Sequence, residues 1–309
     1  MSENFHMKDL GETKSCIGFK IIQNPTINEI YLDQTLYIEK ILTRFNMNDC
    51  NPAYTPCEAN QHLKKAEVDE EIIKNIPYQE LIGCLLYLSQ GTRPDIAYIV
   101  NQLSRFNNSP TIQHWTAAKR VLRYLKGTKN MKLTFKKDCT NNIEGYCDAD
   151  WATNIEDRRS CSGYVFMFQG AAISWCSKRQ ATIALSTTEA EYMSLATATQ
   201  EAIWLKQLEE EFNPSLSGTP IIMNSDNQSA ISIALQDVYH ARSKHIDIRY
   251  HFVRERIAMK QVSIQYKSTH DMVADIMTKG LARPKHKIFT TAMGLRSRED
   301  DEIRNADGA

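Results

Sequence analysis

Residues 145–151 read GYCDADW, at the end of a segment, 143–150, in which apolar and polar side chains alternate as they do in a β-strand. Residues two apart on a strand point to the same face, so Asp148 and Asp150 would stand side by side where the strand should enter a core. Like charges that close repel and shift each other's pKa unless a cation or hydrogen bonds intervene. The strand therefore predicts something nearby that tolerates carboxylates.

Downstream, GYVFMFQ (163–169) and AAISWCS (171–177) read as two strands joined through Gly170. A long helix is expected over about 187–212, then a strand over 220–225 and a short helix running on from Asn227. A helix over 244–258 carries Ile246, Tyr250, Val253 and Ile257 on one side. Val262, Ile264 and Tyr266 alternate as a last strand, and 272–280 reads as helical. This order of elements predicts an α/β domain, a mixed five-stranded sheet with flanking helices.

Upstream the pattern differs. Residues 1–70 combine short strand-like pieces, such as 16–23, with a helical stretch near 37–45. From Pro77 the chain turns helical, with Tyr78, Leu81, Leu85 and Leu88 on one stripe. Pro94 opens a second helix, and Ser109-Pro110 reads as the N-cap and first residue of a third, which Gly127 ends. The unpatterned KKDCTNN (136–142) suggests a boundary. The expected organisation is an α+β region over 1–137, the mixed-sheet domain over 138–285, and a polar tail over 286–309.

The chain has 309 residues, and Lys+Arg and Asp+Glu are both 37, so overall charge indicates no partner. Its distribution says more: eight Lys/Arg and no acid lie between Trp115 and Lys137. Eight scattered Cys form no CxxC pair, which fits reduced thiols better than a disulfide framework. The polar N-terminus and the lack of a run of about 18–20 apolar residues predict a soluble, intracellular chain without a membrane span.

Acids recur at the ends of the expected elements. Counting back from Phe212 through Leu208, Leu205, Ala202, Ala198 and Leu195 leads to Glu191, whereas Glu189 lies about 200° around the helix and is expected to face water. Asp226 falls where a strand ends, the position at which open α/β sheets bind ligands, and Asp275 opens the last helix. Each acid alone fits a plain reading as a turn, cap or first-turn residue. Together, four acids converging from strand, helix, strand and helix would need metal ions, and carboxylate oxygens suit Mg²⁺ or Mn²⁺. Two such ions about 4 Å apart can activate water and stabilise the leaving oxygen of a phosphodiester.

These stretches resemble the ribonuclease H domain of copia-type retrotransposon Pol polyproteins: GYCDADWATNIEDRRSCSGYVF, ISWCSKRQATIALSTTEAEYMSLA, NSDNQSAI, ARSKHIDIRYHFVRE and VADIMTKGL. Upstream, FHMKDLGE, YQELIGCLLYLSQGTRPDIAYIVNQLSRF and HWTAAKRVLRYLKGT resemble the region after the polymerase active site of the same polyproteins. The resemblance implies a ribonuclease H-like domain preceded by a reverse-transcriptase thumb- or connection-like region. It carries the family's Asp, Glu, Asp, Asp set to Asp148, Glu191, Asp226 and Asp275. It implies two Mg²⁺ ions, with Mn²⁺ as a substitute, and cleavage of the RNA strand of RNA–DNA hybrids. It also implies polymerase segments of a Pol protein as partners, and a cytoplasmic virus-like particle or the nucleus as location.

Two departures from the family accompany the resemblance. The polymerase's Asp-Asp pair would precede FHMKDLGE, and the only adjacent pair here is Asp300-Asp301, so no polymerase activity is expected. The family's mobile His loop lies some ten residues before the last Asp, but His270 precedes Asp275 by five. His270 is thus either an auxiliary group or a solvated loop residue, and Asp150 is a second auxiliary candidate. His240, His245 and His251 do not share a helical face and read as surface or supporting residues.

Lys119, Arg120 and Arg123 in the basic strip, with Arg158, Arg159, Lys178 and Arg179 beside the strands, are candidate contacts to a nucleic-acid backbone. A solvated helix face is the plainer reading of such a run. The leading functional expectation is a metal-dependent hybrid ribonuclease. The alternative is a catalytically inactive, nucleic-acid-binding remnant of a transposon polyprotein. A transposase or integrase would order its acids Asp, Asp, Glu, and this chain places Glu second.

Overall fold

The strand-like pieces near the start of the chain pair with one another. In the computed structural model, which describes residues 8, 11–59, 61, 63–65, 76–137, 139, 142–152, 156–216, 218–236 and 247–297, β1 (Ser15–Cys16) turns through Ile17 and Gly18, both at positive φ, into β2 (Phe19–Asn24). Antiparallel β3 (Glu29–Asp33) follows, then α1 (Thr35–Arg44), α2 (Tyr78–Gly91), a 3-10 turn over Pro94–Ile96, α3 (Ala97–Ser104) and α4 (Ile112–Gly127). The expected stripe of Tyr78, Leu81, Leu85 and Leu88 is buried against Ile99, Leu103, Ala118, Leu122 and Leu125.

One helix start differs from expectation. Thr111, not Ser109, is the N-cap of α4, because the Thr111 backbone N–H donates to His114 Nδ1 at 2.9 Å. His114 is itself held by stacking on Phe106, with ring centroids 3.8 Å apart. A histidine three residues into a helix is an uncommon capping acceptor, and the Ser-Pro pair outshone it in the sequence.

After α4, β4 (Lys132–Lys136) pairs antiparallel with β3. The mixed-sheet elements follow as expected. They are β5 (Glu144–Asp150), β6 (Cys161–Phe168), β7 (Ala171–Arg179), α5 (Thr187–Phe212), β8 (Ile221–Ser225), α6 (Gln228–Leu235), α7 (Asp247–Ala258) and β9 (Val262–Tyr266). Gln169 and Gly170, both at positive φ, make the tight β6–β7 turn. The sheet runs β7-β6-β5-β8-β9, with β5, β8 and β9 parallel and the first three strands antiparallel. Helix α5 packs across β5, burying Leu195, Ala198, Ala202 and Leu205 against Cys147, Phe166 and Met223. Residues 244–246, the expected start of α7, lie outside the described residues.

The last part of the chain corrects two expectations. Over 272–280 only α8 (Asp275–Thr278) is α-helical, since Met272 and Val273 accept i→i+3 bonds instead. The span 286–309, expected as a polar tail, begins with most of α9 (Arg283–Ala292) and with β10 (Leu295–Arg296). His286, Phe289, Met293 and Leu295 are buried, and β10 pairs with β4 to complete a five-stranded sheet. The acidic residues beyond 298 masked this apolar spacing.

Arg93 and Asp95, both fully buried, form an ion pair at 2.7 Å; Tyr124 Oη donates to Asp95 and Arg93 donates to Thr128. No helix among the described residues is long and apolar enough to cross a membrane.

Candidate metal centre

The site forms at the carboxyl ends of the parallel strands β5 and β8. Asp148 is the fifth residue of β5 and is 2% exposed. Ser194 on α5 donates to the Asp148 backbone carbonyl at 2.7 Å, and its hydroxyl also lies 3.2 Å from the Gly163 carbonyl on β6. That tether places the first turns of α5 over the acidic strand, and Glu191, three residues earlier, is brought to Asp148. Asp226 follows the last residue of β8, where Thr269 Oγ1 donates to its Oδ2 at 2.8 Å. One carboxylate oxygen from each of Asp148, Glu191 and Asp226 lies within 4.8 Å of the others.

Glu189, expected to face water, does not. It is buried: its backbone N–H donates to the N-cap Ser186 at 3.2 Å, and its Oε2 accepts from Leu185 N–H at 2.8 Å. A wheel argument ignores the free N–H groups of a first turn, which draw an acid back along the helix.

Asp275 opens α8 as expected and is fully buried, but lies outside the group of three. Its Oδ1 is 2.7 Å from Lys279 Nζ and its Oδ2 is 2.5 Å from Lys285 Nζ. Lys279 Nζ also lies 3.6 Å from Asp148 Oδ2, to which Thr278 Oγ1 donates a short hydrogen bond. Thr278, Lys279 and Lys285 escaped the sequence reading. The Asp275–Lys279 spacing of four was a visible signal, whereas Lys285 meets Asp275 only through the turn into α9.

Burial pushes the Glu191 carboxyl above its ordinary range, and the charges of Asp148 and Asp226 push it further. Asp148 is raised mainly by burial, against the pull of Lys279. For Lys279, burial opposes the ammonium, but Asp148 and Asp275 outweigh it and hold the lysine charged. Glu191 Oε2 is buried without a hydrogen-bond partner among the described residues. An orphaned oxygen among three carboxylates, with no nitrogen or sulfur ligand, fits a hard divalent cation such as Mg²⁺ or Mn²⁺.

The remaining candidates lie around or away from this centre. Asp150, half-buried at the end of β5 opposite Cys161, is outside the group of three, as is exposed His270, whose N–H bonds Ser268 Oγ at 3.3 Å. His240 and His245 lie outside the described residues, and His251 is exposed on α7. Lys119 sits over the Trp115 ring at 5.8 Å. Arg120 bonds Glu58 at 3.0 Å and Thr55 at 3.2 Å, and Arg123 donates to the Asn51 carbonyl at 2.7 Å. These last two side chains therefore stitch α4 to the 51–58 segment. Arg179 and Arg159 pair with Asp157, while Arg158 and Lys178 are exposed.

A family model described as reverse transcriptase (RNA-dependent DNA polymerase) matches residues 1–59. The retrovirus-related Pol polyprotein of transposon TNT 1-94 from Nicotiana tabacum is 40% identical over 302 residues, covering 96% of this chain and 22% of the polyprotein. A protein named secreted RxLR effector protein 161, from Plasmopara viticola, is 52% identical over 133 residues, 43% of this chain and 94% of its own. Among solved structures, a ribonuclease H1 isolated from compost is 16% identical with a TM-score of 0.34, covering 45% of this chain and 94% of its own. The chain spans about a fifth of the length of the curated polyproteins it matches first.

Proposed function

This chain belongs to the copia-type retrotransposon Pol family, and on that premise we propose that it is a divalent-metal-dependent ribonuclease cutting the RNA strand of RNA–DNA hybrids. The observation that carries the reading is the meeting of Asp148, Glu191 and Asp226 within 4.8 Å, from a strand, a helix and a strand end. These three would hold the metal, with Asp275 as a fourth acid one lysine removed. A bound divalent cation supplies Lewis acidity and lowers the pKa of water at the phosphodiester.

The chain's own groups prepare that chemistry. Thr278 and Lys279 hold the Asp148 carboxylate in one orientation, and Thr269 does the same for Asp226. Burial of Asp148 excludes water from one side of the centre, while half-buried Asp226 leaves the other open to substrate. Lys178 lies opposite Ser162, which itself pairs with Ala149, so its exposed ammonium is on the sheet face opposite to Asp148 and Asp150. Lys178, Arg158 and Lys119 are the basic candidates that would meet a phosphate backbone without first breaking an ion pair among the described residues.

The test is cleavage of an end-labelled RNA–DNA hybrid in Mg²⁺ by the full chain and by Asp148→Asn. Metal-dependent cutting of the RNA strand, lost in the variant, is expected. Equal cutting by both proteins would overturn the assignment. Salt-dependent hybrid binding without turnover would replace it with the binding-remnant reading.

A further inference from the structure

The cations already built into the site are unequally shared among its acids. On one side, Glu191 Oε2 is buried with no hydrogen-bond partner among the described residues, within reach of Asp148 and Asp226. On the other side, both Asp275 oxygens face ammonium groups, Lys279 at 2.7 Å and Lys285 at 2.5 Å. Lys279 lies 3.6 Å from Asp148 as well, so a single ammonium spans the two carboxylates, Asp148 and Asp275. Two carboxylates bridged by one cation are also a donor set that suits a divalent ion.

Charge balance leads the same way. Four ionised carboxylates carry four negative charges, Lys279 and Lys285 neutralise two, and one divalent ion accounts for the rest. A second ion in the same space would meet an ammonium within bonding distance of its ligands, and like charges at about 4 Å cost several kcal/mol in a partly buried site.

We infer that Lys279 is an internal cation standing in for one of two divalent ions. The resting protein takes a single ion, on Asp148, Glu191 and Asp226, and admits a second only when the lysine leaves. Local structure gives the lysine both an anchor and an exit. Its backbone N–H bonds the Asp275 carbonyl at 3.1 Å, closing α8. The next residue, Gly280, packs so closely on the Glu58 carbonyl that an added Cβ would lie 2.6 Å from that oxygen. The backbone is thus held in place, while the side chain remains 35% exposed and has a path to solvent. The inference rests on the part of the proposed function that makes the carboxylate group a divalent-metal centre, and its test does not require turnover.

The experiment is Mn²⁺ titration of the full chain near neutral pH, followed by electron paramagnetic resonance, which counts bound ions and reports spin coupling between neighbours. Wild type is expected to bind one Mn²⁺ per chain with no Mn–Mn coupling. Lys279→Met is expected to bind two with coupling, and Lys279→Arg, which keeps the charge, to bind one. Asp226→Asn is expected to weaken the single ion at least tenfold. Two coupled ions in wild type would overturn the inference, whether or not Lys279→Met folds, and so would one ion in a folded Lys279→Met. One ion bound without hybrid cleavage would remove the nuclease reading and support this one; two coupled ions with cleavage would do the reverse.

Discussion

Thr278 Oγ1 donates a hydrogen bond to Asp148 Oδ2, joining the short helix α8 to the central strand β5 across 130 residues of sequence. The contact fixes which Asp148 lone pairs face the other acids. Thr278→Val keeps the shape and removes the donor. Groups that orient a ligating carboxylate contribute about 10–100-fold to metal affinity or activity. Thr278→Val should therefore weaken Mn²⁺ binding within that range, and Thr278→Ser should restore most of it. Calorimetric titration of the folded variants checks this, and unchanged affinity in Thr278→Val would show that Asp148 is oriented by other contacts.

The raised carboxyls predict an unusual pH dependence for the metal-free protein. Burial holds protons on Glu191 and Asp148 in the folded state that the unfolded chain releases near its ordinary carboxylate pKa of about 4. Between that value and the raised folded pKa the native state binds more protons, so stability falls as pH rises, by up to about 1.4 kcal/mol per pH unit per group. A divalent ion displaces those protons. The thermal shift caused by Mg²⁺ should consequently be larger at pH 8.5 than at pH 6, and Glu191→Gln should flatten the metal-free slope. A Mg²⁺ shift independent of pH would contradict the account.

Gly163, on β6 beside Asp148, controls how closely α8 approaches. A Cβ there would lie 2.5 Å from Met277 Cβ and 2.7 Å from Thr278 Cγ2, and neither is the free end of a flexible chain. Gly163→Ala should force α8 outward and cost about 1–3 kcal/mol by overpacking. Because Thr278 and Lys279 move with α8, metal affinity should fall together with the unfolding temperature. A denaturation curve and a Mn²⁺ titration on the same sample test both effects.

Much of this arrangement is legible in the sequence. The long helix could be traced back to Glu191 because its apolar face repeats every three to four residues; Leu195, Ala198, Ala202 and Leu205 of that face do cover the sheet, whereas Phe212, where the count began, is 84% exposed. Asp226 was readable because it ends a strand in a parallel sheet. Glu189 was misplaced because capping demand overrides helical phase in the first turn. The Lys279 and Lys285 pairing with Asp275 was not legible as a pair, since it depends on how α8 turns into α9. Strand β10 has two residues and no pattern of its own; it exists only through β4. The basic run of α4 and the turn after it was legible as charge, but the carbonyls and acids that several of its members bind came from distant sequence.

That last segment gives the sharpest test of where the folded unit ends. The backbone at Met293 and Gly294 serves both sheets, since Ala172 N–H on β7 bonds the Met293 carbonyl at 3.0 Å and Thr134 N–H on β4 bonds the Gly294 carbonyl at 2.9 Å. Gly294 sits at φ 85°, and a Cβ there would lie 2.7 Å from Ala171 Cα, so close approach and left-handed backbone both require glycine. Phe289, 1% exposed, fills the core between Val165 and Met272. A chain ended after Lys285 would lose these bonds, most of α9 and a cover over the Arg93–Asp95 pair, where His286 Nε2 lies 3.4 Å from the Asp95 carbonyl. Such a truncation should leave the chain largely unfolded or aggregated. Phe289→Ala should remain folded but lose about 3–5 kcal/mol. Circular dichroism and urea unfolding of the two proteins decide the matter: a truncated chain with native stability would make 286–297 an appendage, whereas its loss of structure would make those residues part of the core.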